Sequence, residues 1–217
     1  MVVNRPSILF IDAYDSFTNN IVSLLTTTLT CSVRVIHIDS PGFETDEALC
    51  NELSHYDAVV CGPGPGDPSR PKDVGLMNRV WKLQEGVLPA LGICLGFQSL
   101  CLAFGGQMRV LKEGLHGRVR RIHHIGEDAR HDSTQGCEEI FDGVEVLRAT
   151  LYHSLSIGTT QDELDKEHWM EQKWEPIKKS GHLLPLAWAV DESKDKTRWK
   201  DDRILMAVRH ETKPFWG

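Results

Sequence analysis

Short apolar runs alternate with helical stretches through the first half of the sequence, and this alternation restricts the fold more than any other feature. The apolar runs occupy residues 7–12, 33–38, 57–61 and 87–93, and the helical stretches occupy residues 17–29, 44–53, 72–84 and 96–104. Strands that alternate with helices in this way form parallel sheets. We therefore expect an α/β fold with a doubly wound, mostly parallel sheet and helices on both of its faces.

The pattern changes after Gly106, where helical periodicity fades. Strand-like runs follow at residues 108–111, 119–124, 150–153, 186–190 and 204–209, which predicts an added small region of antiparallel strands. Two long polar segments, residues 126–136 and 158–181, are interpreted as insertions on the surface. A chain of 217 residues is the right size for one core, so we expect a single domain over residues 1–217.

Composition excludes several classes of partner. The formal net charge is -7 and no window is rich in Lys and Arg, so we expect no nucleic-acid binding. No segment approaches the roughly 20 apolar residues of a membrane span. The six cysteines form no CxxC pair, and most lie in apolar runs, which is typical of a reducing compartment. We expect a soluble, cytoplasmic protein without metal or cofactor.

Cys94 is the strongest candidate for a catalytic residue. It lies within Gly92-Ile93-Cys94-Leu95-Gly96, between a predicted strand and a predicted helix. Gly-x-Cys-x-Gly in this position is the thiol version of the nucleophile elbow, whose tight turn needs small residues on both sides. The backbone N–H groups at a helix start favour the thiolate, so we expect a lowered pKa for Cys94. The alternative is a buried structural cysteine, as we expect for Cys101.

A second candidate feature is the loop at residues 62–68, Gly-Pro-Gly-Pro-Gly-Asp-Pro, which follows the third predicted strand. Gly64 and Gly66 allow a substrate to approach the main chain closely, while Pro63 and Pro65 stiffen it. Preorganised N–H groups in such a loop can stabilise an oxyanion. An ordinary Pro/Gly turn is the alternative, and the loop lacks the Gly-Lys-Ser/Thr ending of a phosphate-binding loop.

These motifs occur in an ordered set that resembles the class I, triad-type glutamine amidotransferases, and among them the glutaminases of anthranilate synthase and aminodeoxychorismate synthase. The matching pieces span nearly the whole chain: Asp12-Ala13-Tyr14-Asp15-Ser16-Phe17-Thr18-Asn19-Asn20, residues 62–66, Gly92-Ile93-Cys94-Leu95-Gly96-Phe97-Gln98, Phe104-Gly105-Gly106, Leu115-His116-Gly117, Tyr152-His153-Ser154-Leu155 and Met206-Ala207-Val208-Arg209-His210.

The resemblance implies that the Cys94 thiolate attacks the side-chain amide of L-glutamine, releases ammonia and leaves a thioester for water to cleave. It assigns the oxyanion to the N–H groups of Gly64 and Leu95. It assigns glutamine binding to six residues: Gly64, Pro65, Gly66, Gln98, Ser154 and Leu155. Taken alone, Gln98 is interpreted as a solvated helix residue, and Ser154 as a residue that satisfies a nearby backbone group. We interpret His116 and His153 as structural.

The sequence departs from the family pattern near its end. The family's general base is a His in a His-Pro-Glu motif, which does not occur here, and residues 212–217 resemble the segment that leads into it. We therefore expect a domain incomplete at its C-terminus, with little activity as written. Phe97, where many relatives have His, and the Trp-containing segment 158–181 resemble fungal and plant bifunctional aminodeoxychorismate synthases.

That subgroup implies a glutaminase that supplies ammonia for the amination of chorismate to 4-amino-4-deoxychorismate, on the route to p-aminobenzoate and folate. The implied partner is a chorismate-aminating synthase domain on the same full-length chain. One alternative is the glutaminase component of anthranilate synthase, where only the acceptor differs. The other is a binding module without turnover, because the terminal His and Glu are absent.

Overall fold

The computed structural model describes residues 5–84, 86–127, 140–177, 182–190 and 203–217, with the backbone alone for residues 112 and 113. The chain divides into two units. The first consists of Met1–Phe104 with Thr212–Gly217, and the second of Gly105–Glu211. The single domain expected over residues 1–217 stays a prediction.

The described residues of the first unit form a parallel sheet and five helices. Its strands are β1 (Ser7–Asp12), β2 (Ser32–His37), β3 (Ala58–Cys61), β4 (Ala90–Gly92) and β9 (Phe215–Trp216), in the order β2-β1-β3-β4-β9. Every pairing among these five strands is parallel. Its helices are α1 (Thr18–Thr27), α2 (Asp46–Leu53), α3 (Pro71–Val74), α4 (Leu76–Lys82) and α5 (Leu95–Ala103). The predicted α/β class is confirmed.

Strand β1 lies at the centre of the core of this unit. Leu9, Phe10 and Ile11 are fully buried, although successive side chains point to opposite faces of the sheet. Both faces of β1 are therefore covered, as is usual for parallel strands. Phe10 packs in one cluster with Val60 of β3 and Ile21 of α1.

The strand order places three loops side by side. Ile11 of β1 is level with Cys61 of β3, and Cys61 is level with Gly92 of β4, so the loops after these strands begin at the same edge of the sheet. The chain winds to β2 on one side of β1 and to β3 on the other. Ligands of doubly wound sheets bind at the carboxyl ends of the strands where the winding direction changes.

The helix predicted at residues 72–84 is wrong in one respect, because it is two helices, α3 and α4. Gly75 lies between them with a φ of 45°, and a Cβ atom there would lie 2.2 Å from the Ile38 carbonyl oxygen. The Leu76 N–H donates to that same oxygen at 2.9 Å. A close approach to the segment after β2 thus interrupts the helix.

The second unit is antiparallel. Its strands are β5 (Gln107–His124), β6 (Leu147–Gly158), β7 (Leu183–Val190) and β8 (Arg203–His210), in the order β8-β7-β5-β6. The strands predicted separately at residues 108–111 and 119–124 are one long strand, β5. The β5–β6 pairing shifts register between Val110 and Leu115 and again between His116 and Arg118, and these irregularities account for the gap in the sequence pattern.

The segment at residues 158–181 is not a simple surface insertion. It contains a 3-10 helix (Thr160–Glu163) and helix α6 (Lys166–Gln172). Trp169 is 2% exposed and packs edge-on against Trp188 of β7, with 5.8 Å between ring centroids. The sequence hides this burial because α6 is short and mostly polar, and its other apolar residue, Met170, is exposed. The other predicted insertion, residues 126–136, lies mostly outside the described residues.

Candidate active site

Cys94 lies between the end of β4 and the first residue of α5, as the elbow motif predicts. Its φ of 54° and ψ of -102° are strained for a residue with a side chain. A Cβ atom at Gly96 would lie 2.1 Å from the Cys61 carbonyl oxygen, and one at Gly92 would lie 2.6 Å from the Gly96 carbonyl carbon. Packing therefore allows only glycine at positions 92 and 96. With these two positions fixed, the positive φ of the tight turn falls on Cys94.

Cys94 differs from its neighbouring cysteines in exposure. Cys61 and Cys101 are fully buried, and burial raises the pKa of both thiols, so they are inert packing residues. Cys94 is exposed. The alternative of a buried structural cysteine at this position is therefore wrong, whereas Cys101 has that role as expected, and Cys61 shares it.

The lowered pKa expected for Cys94 is wrong. Although the residue is exposed, neighbouring atoms desolvate its sulfur, and this desolvation raises the pKa of the thiol above its ordinary value. The Leu95 N–H donates to the sulfur and lowers the pKa, while the Asp15 carboxylate raises it further. Desolvation outweighs the helix start, so the resting form of Cys94 is the neutral thiol.

The loop after β3 brings Gly64 against the elbow. A Cβ atom at Gly64 would lie 2.5 Å from the Ala13 Cβ and 2.8 Å from the Leu95 Cδ2, so only glycine fits between the loop after β1 and the start of α5. The loop is fixed by hydrogen bonds from Gly62 N–H to the Ile11 oxygen and from Gly96 N–H to the Gly62 oxygen. Within the described part of the chain, the Gly64 N–H donates to no acceptor.

The rest of this loop follows the same edge of the sheet. Pro65 is exposed and Gly66 is half-buried. A Cβ atom at Gly66 would lie 2.6 Å from the Asp73 Cβ, and Asp73 also accepts a hydrogen bond from the Asp67 N–H at 3.0 Å. The loop is therefore a packed structure tied to α3. Its role in stabilising an oxyanion stays a prediction.

Gln98 is one helical turn beyond Cys94. Its N–H donates to the Cys94 carbonyl oxygen at 2.9 Å, and the residue is 8% exposed. A solvated helix residue is therefore excluded. The structure brings together Cys94, the Leu95 N–H, Gly64 and Gln98 within the first unit.

Ser154 and Leu155 belong to β6 of the second unit. The Ser154 hydroxyl is 3.0 Å from His116 Nε2, and the Leu155 carbonyl oxygen is 2.9 Å from His153 Nδ1. Gly114 leaves room for the first pair, because a Cβ atom there would lie 2.9 Å from the His116 ring and 3.2 Å from the Ser154 oxygen. His116 and His153 thus hold neighbouring residues of one strand, which agrees with a structural role for both.

The sequence matches a known family over most of its length. The profile of the family Glutamine amidotransferase class-I covers residues 9–182. The chain belongs to this family. The matched range includes Cys94, the loop at residues 62–68, and Ser154 and Leu155 of β6. The match establishes a glutamine amidotransferase domain.

Relatives within the family narrow its subgroup. The chain is 34% identical over 209 residues to an aminodeoxychorismate synthase of Streptomyces griseus, covering 96% of this chain and 22% of that protein. It is 32% identical over 220 residues to an aminodeoxychorismate synthase of Saccharomyces cerevisiae, covering 97% of this chain and 24% of that protein. It is 35% identical to the pyocyanine-specific anthranilate synthase component 2 of Pseudomonas aeruginosa, covering 73% and 71%. The chain spans about a quarter of the two synthases.

Solved structures of glutamine amidotransferases share the fold. A glutamine amidotransferase of Thermotoga maritima superposes with a TM-score of 0.59 at 13% identity, covering 99% of this chain and 74% of that one. The glutaminase domain of Trypanosoma brucei CTPS, solved with bound acivicin, superposes with a TM-score of 0.60 at 15% identity, covering 97% and 83%. At these identities the likeness concerns the fold alone.

The motif at residues 12–20 contributes to the site in a way that the sequence did not reveal. Asp15 carries a charge close enough to raise the pKa of Cys94, and Ala13 contacts Gly64. The family resemblance includes Ala13 and Asp15 within this motif, but it assigned a role to neither residue. Among the described residues, no cluster of three His, Cys, Asp or Glu side chains is arranged to hold a metal, and no helix is long and apolar enough to cross a membrane.

Proposed function

We propose that this glutamine amidotransferase hydrolyses the side-chain amide of L-glutamine through a thioester on Cys94. The observation that supports this most is the exposed thiol at a strained turn, with the Leu95 N–H donating to its sulfur and the Gly64 loop packed against Leu95. Acyl transfer at a carboxamide requires an accessible nucleophile and N–H donors that can stabilise the negative oxygen.

In the proposed reaction, the family's general base first removes the proton of the Cys94 thiol, since the raised pKa keeps the thiol neutral at rest, and later gives that proton to the leaving nitrogen. This base is the His of a His-Pro-Glu motif that residues 1–217 do not contain. The sulfur then bonds to the amide carbon of glutamine, and the N–H groups of Gly64 and Leu95 stabilise the negative oxygen. Cleavage of the C–N bond with protonation of nitrogen releases ammonia. Water cleaves the thioester and yields glutamate.

Glutamine binding is proposed for Gly64, Pro65, Gly66 and Gln98 of the first unit, and for Ser154 and Leu155 of the second. The buried side chain of Gln98 and the close packing of the glycine loop support the first group. The pairing of Ser154 with His116, and of Leu155 with His153, supports a fixed main chain in the second group.

We infer that the ammonia aminates chorismate to 4-amino-4-deoxychorismate in a synthase domain that accompanies this chain. Two relatives named aminodeoxychorismate synthase match 96% and 97% of this chain, whereas the anthranilate synthase component matches 73%. Products formed from chorismate and glutamine, by this chain together with its synthase domain, test the choice. Anthranilate as the sole product would refute it.

Covalent labelling tests the glutaminase proposal itself. The chain is incubated with 6-diazo-5-oxo-L-norleucine, an electrophile that mimics glutamine, and the modified residue is found by mass spectrometry. One adduct on Cys94 is expected, absent from the Cys94→Ser variant and retained in a matched Cys50→Ser variant. A folded chain that binds glutamine but forms no adduct would instead favour the binding module.

A further inference from the structure

Tyr14 has a strained backbone conformation. It directly follows Ala13 in the loop after β1, and its φ is 63°, in the left-handed region that disfavours residues with a side chain. It is 57% exposed, so burial of its ring does not account for this conformation. Strained residues persist when the surrounding contacts hold them there, and they are concentrated at functional sites.

Two contacts of the side chain hold Tyr14 in place. Its ring stacks on His37 with 4.5 Å between centroids and 11° between planes, and its hydroxyl donates to Asp39 Oδ1 at 2.6 Å. The hydrogen bond to Asp39 raises the pKa of Tyr14, which keeps the phenol a neutral donor. We call these three residues the Tyr14 brace. It ties the loop after β1 to the end of β2 and the segment after it.

The brace acts on the residue that precedes Tyr14 in the chain. Ala13 is buried, and its Cβ and carbonyl oxygen would lie 2.5 Å and 3.0 Å from a Cβ atom at Gly64. Gly64 thus packs directly against Ala13. The orientation of Tyr14 therefore bears on the proposed oxyanion loop through Ala13.

We propose that Tyr14 is a positioning residue of the glutaminase site, which it serves by holding Ala13 against Gly64 through the brace with His37 and Asp39. The proposal rests on the function proposed above, because it assigns the Gly64 N–H to the oxyanion. Tyr14 contacts neither substrate nor sulfur in this account. Its effect is transmitted through the backbone of a loop that it strains and fixes.

The test compares two electrophiles on the same variants. Modification of Cys94 by 6-diazo-5-oxo-L-norleucine requires the oxyanion site, whereas alkylation by iodoacetamide requires only the thiol. Tyr14→Phe keeps the stack and removes the hydroxyl, so its labelling by the glutamine mimic is expected to slow about fivefold. Tyr14→Leu removes both contacts and is expected to slow about tenfold or more. Alkylation by iodoacetamide stays within about twofold of the wild type.

Two further variants sharpen the test. Asp39→Ala removes the acceptor from the other side, so it reproduces the effect of Tyr14→Phe, and the double variant is no slower than either single one. Phe17→Leu is the matched control, because Phe17 lies in the same loop and is 60% exposed, and no aromatic ring of the described residues packs on it. It labels at the wild-type rate.

The outcomes separate this proposal from the proposed function. A wild-type chain that is not labelled at Cys94 by the glutamine mimic refutes the glutaminase and the brace with it. Normal labelling of the wild type together with normal labelling of Tyr14→Leu refutes the brace alone. A fall in both reactions together, with a melting temperature lowered in proportion, also overturns the brace, since it shows a general structural role.

Discussion

The backbone at Cys94 is strained because Gly92 and Gly96, on its two sides, pack directly against neighbouring backbone and fix the course of the chain. The Gly96 amide plane passes so close to the end of β3 that a methyl group would lie 2.1 Å from the Cys61 carbonyl oxygen. The position of the sulfur is therefore set by two residues that have no side chain at all. This is a property of single residues and is best tested by single substitutions.

Gly96→Ala is expected to lower the free energy of unfolding by about 2 to 3 kcal/mol, because the added methyl group overlaps backbone that cannot move away. Helix propensity alone predicts the opposite sign, since alanine is favoured over glycine within a helix. Urea denaturation measures the change. The matched control is Gly158→Ala, whose added Cβ would lie 3.5 Å from its nearest neighbour and should change stability by about 0.5 kcal/mol or less.

The pH dependence of thiol reactivity tests the environment of Cys94. Its pKa is raised, so the rate of alkylation by iodoacetamide should rise through an inflection at a higher pH than that of a free cysteine. Asp15→Asn removes one cause of the raised pKa and should move the inflection to lower pH. An inflection below that of free cysteine, or one that Asp15→Asn leaves in place, would contradict the account.

At the scale of elements, α5 begins directly after the proposed nucleophile and carries Gln98. Ser99 anchors it: its hydroxyl donates to the Gly96 carbonyl oxygen at 2.8 Å and accepts from the Trp81 indole N–H of α4 at 2.9 Å. Both residues are buried. A buried donor that loses its acceptor costs more than one exposed to water.

Ser99→Ala is therefore expected to destabilise the chain by about 1 to 3 kcal/mol, since the Trp81 N–H is left buried and unsatisfied. Ser54→Ala provides the comparison, because the Ser54 hydroxyl also donates to a carbonyl oxygen, that of Asn51, but at an exposed site. Its effect should be within about 0.5 kcal/mol. Equal effects of the two substitutions in urea denaturation would show that Ser99 is no anchor.

The elements also show how far the sequence determines the structure. The alternation of apolar runs and helical stretches predicted β1, α1, β2, α2, β3 and α5 to within two residues of their observed ends. It missed the break at Gly75, which depends on the Ile38 carbonyl oxygen, and the burial of Trp169, which depends on Trp188. The pKa of Cys94 was mispredicted for the same reason. Desolvation of the sulfur depends on the folded surroundings, whereas the helix start can be read from the local sequence.

At the scale of the whole molecule, the proposed chemistry releases ammonia, and we propose that a synthase domain consumes it. The chain spans about a quarter of the aminodeoxychorismate synthases that it matches. If ammonia is the only link to chorismate, then added ammonium salt should replace glutamine. With its synthase domain present, Cys94→Ser should lose product formation from glutamine and keep it from ammonium. Loss of both, with an intact fold, would contradict this division of labour.

The thioester on Cys94 is the central claim, and trapping it is the most direct measurement. The chain is mixed with L-glutamine for increasing times, since without the family's His base we expect slow turnover, then quenched in acid and analysed by tandem mass spectrometry. We predict a glutamyl adduct on Cys94 that hydroxylamine removes and that Cys94→Ser does not form. Glutamate released at the wild-type rate by Cys94→Ser, or an adduct on another cysteine, would contradict the account.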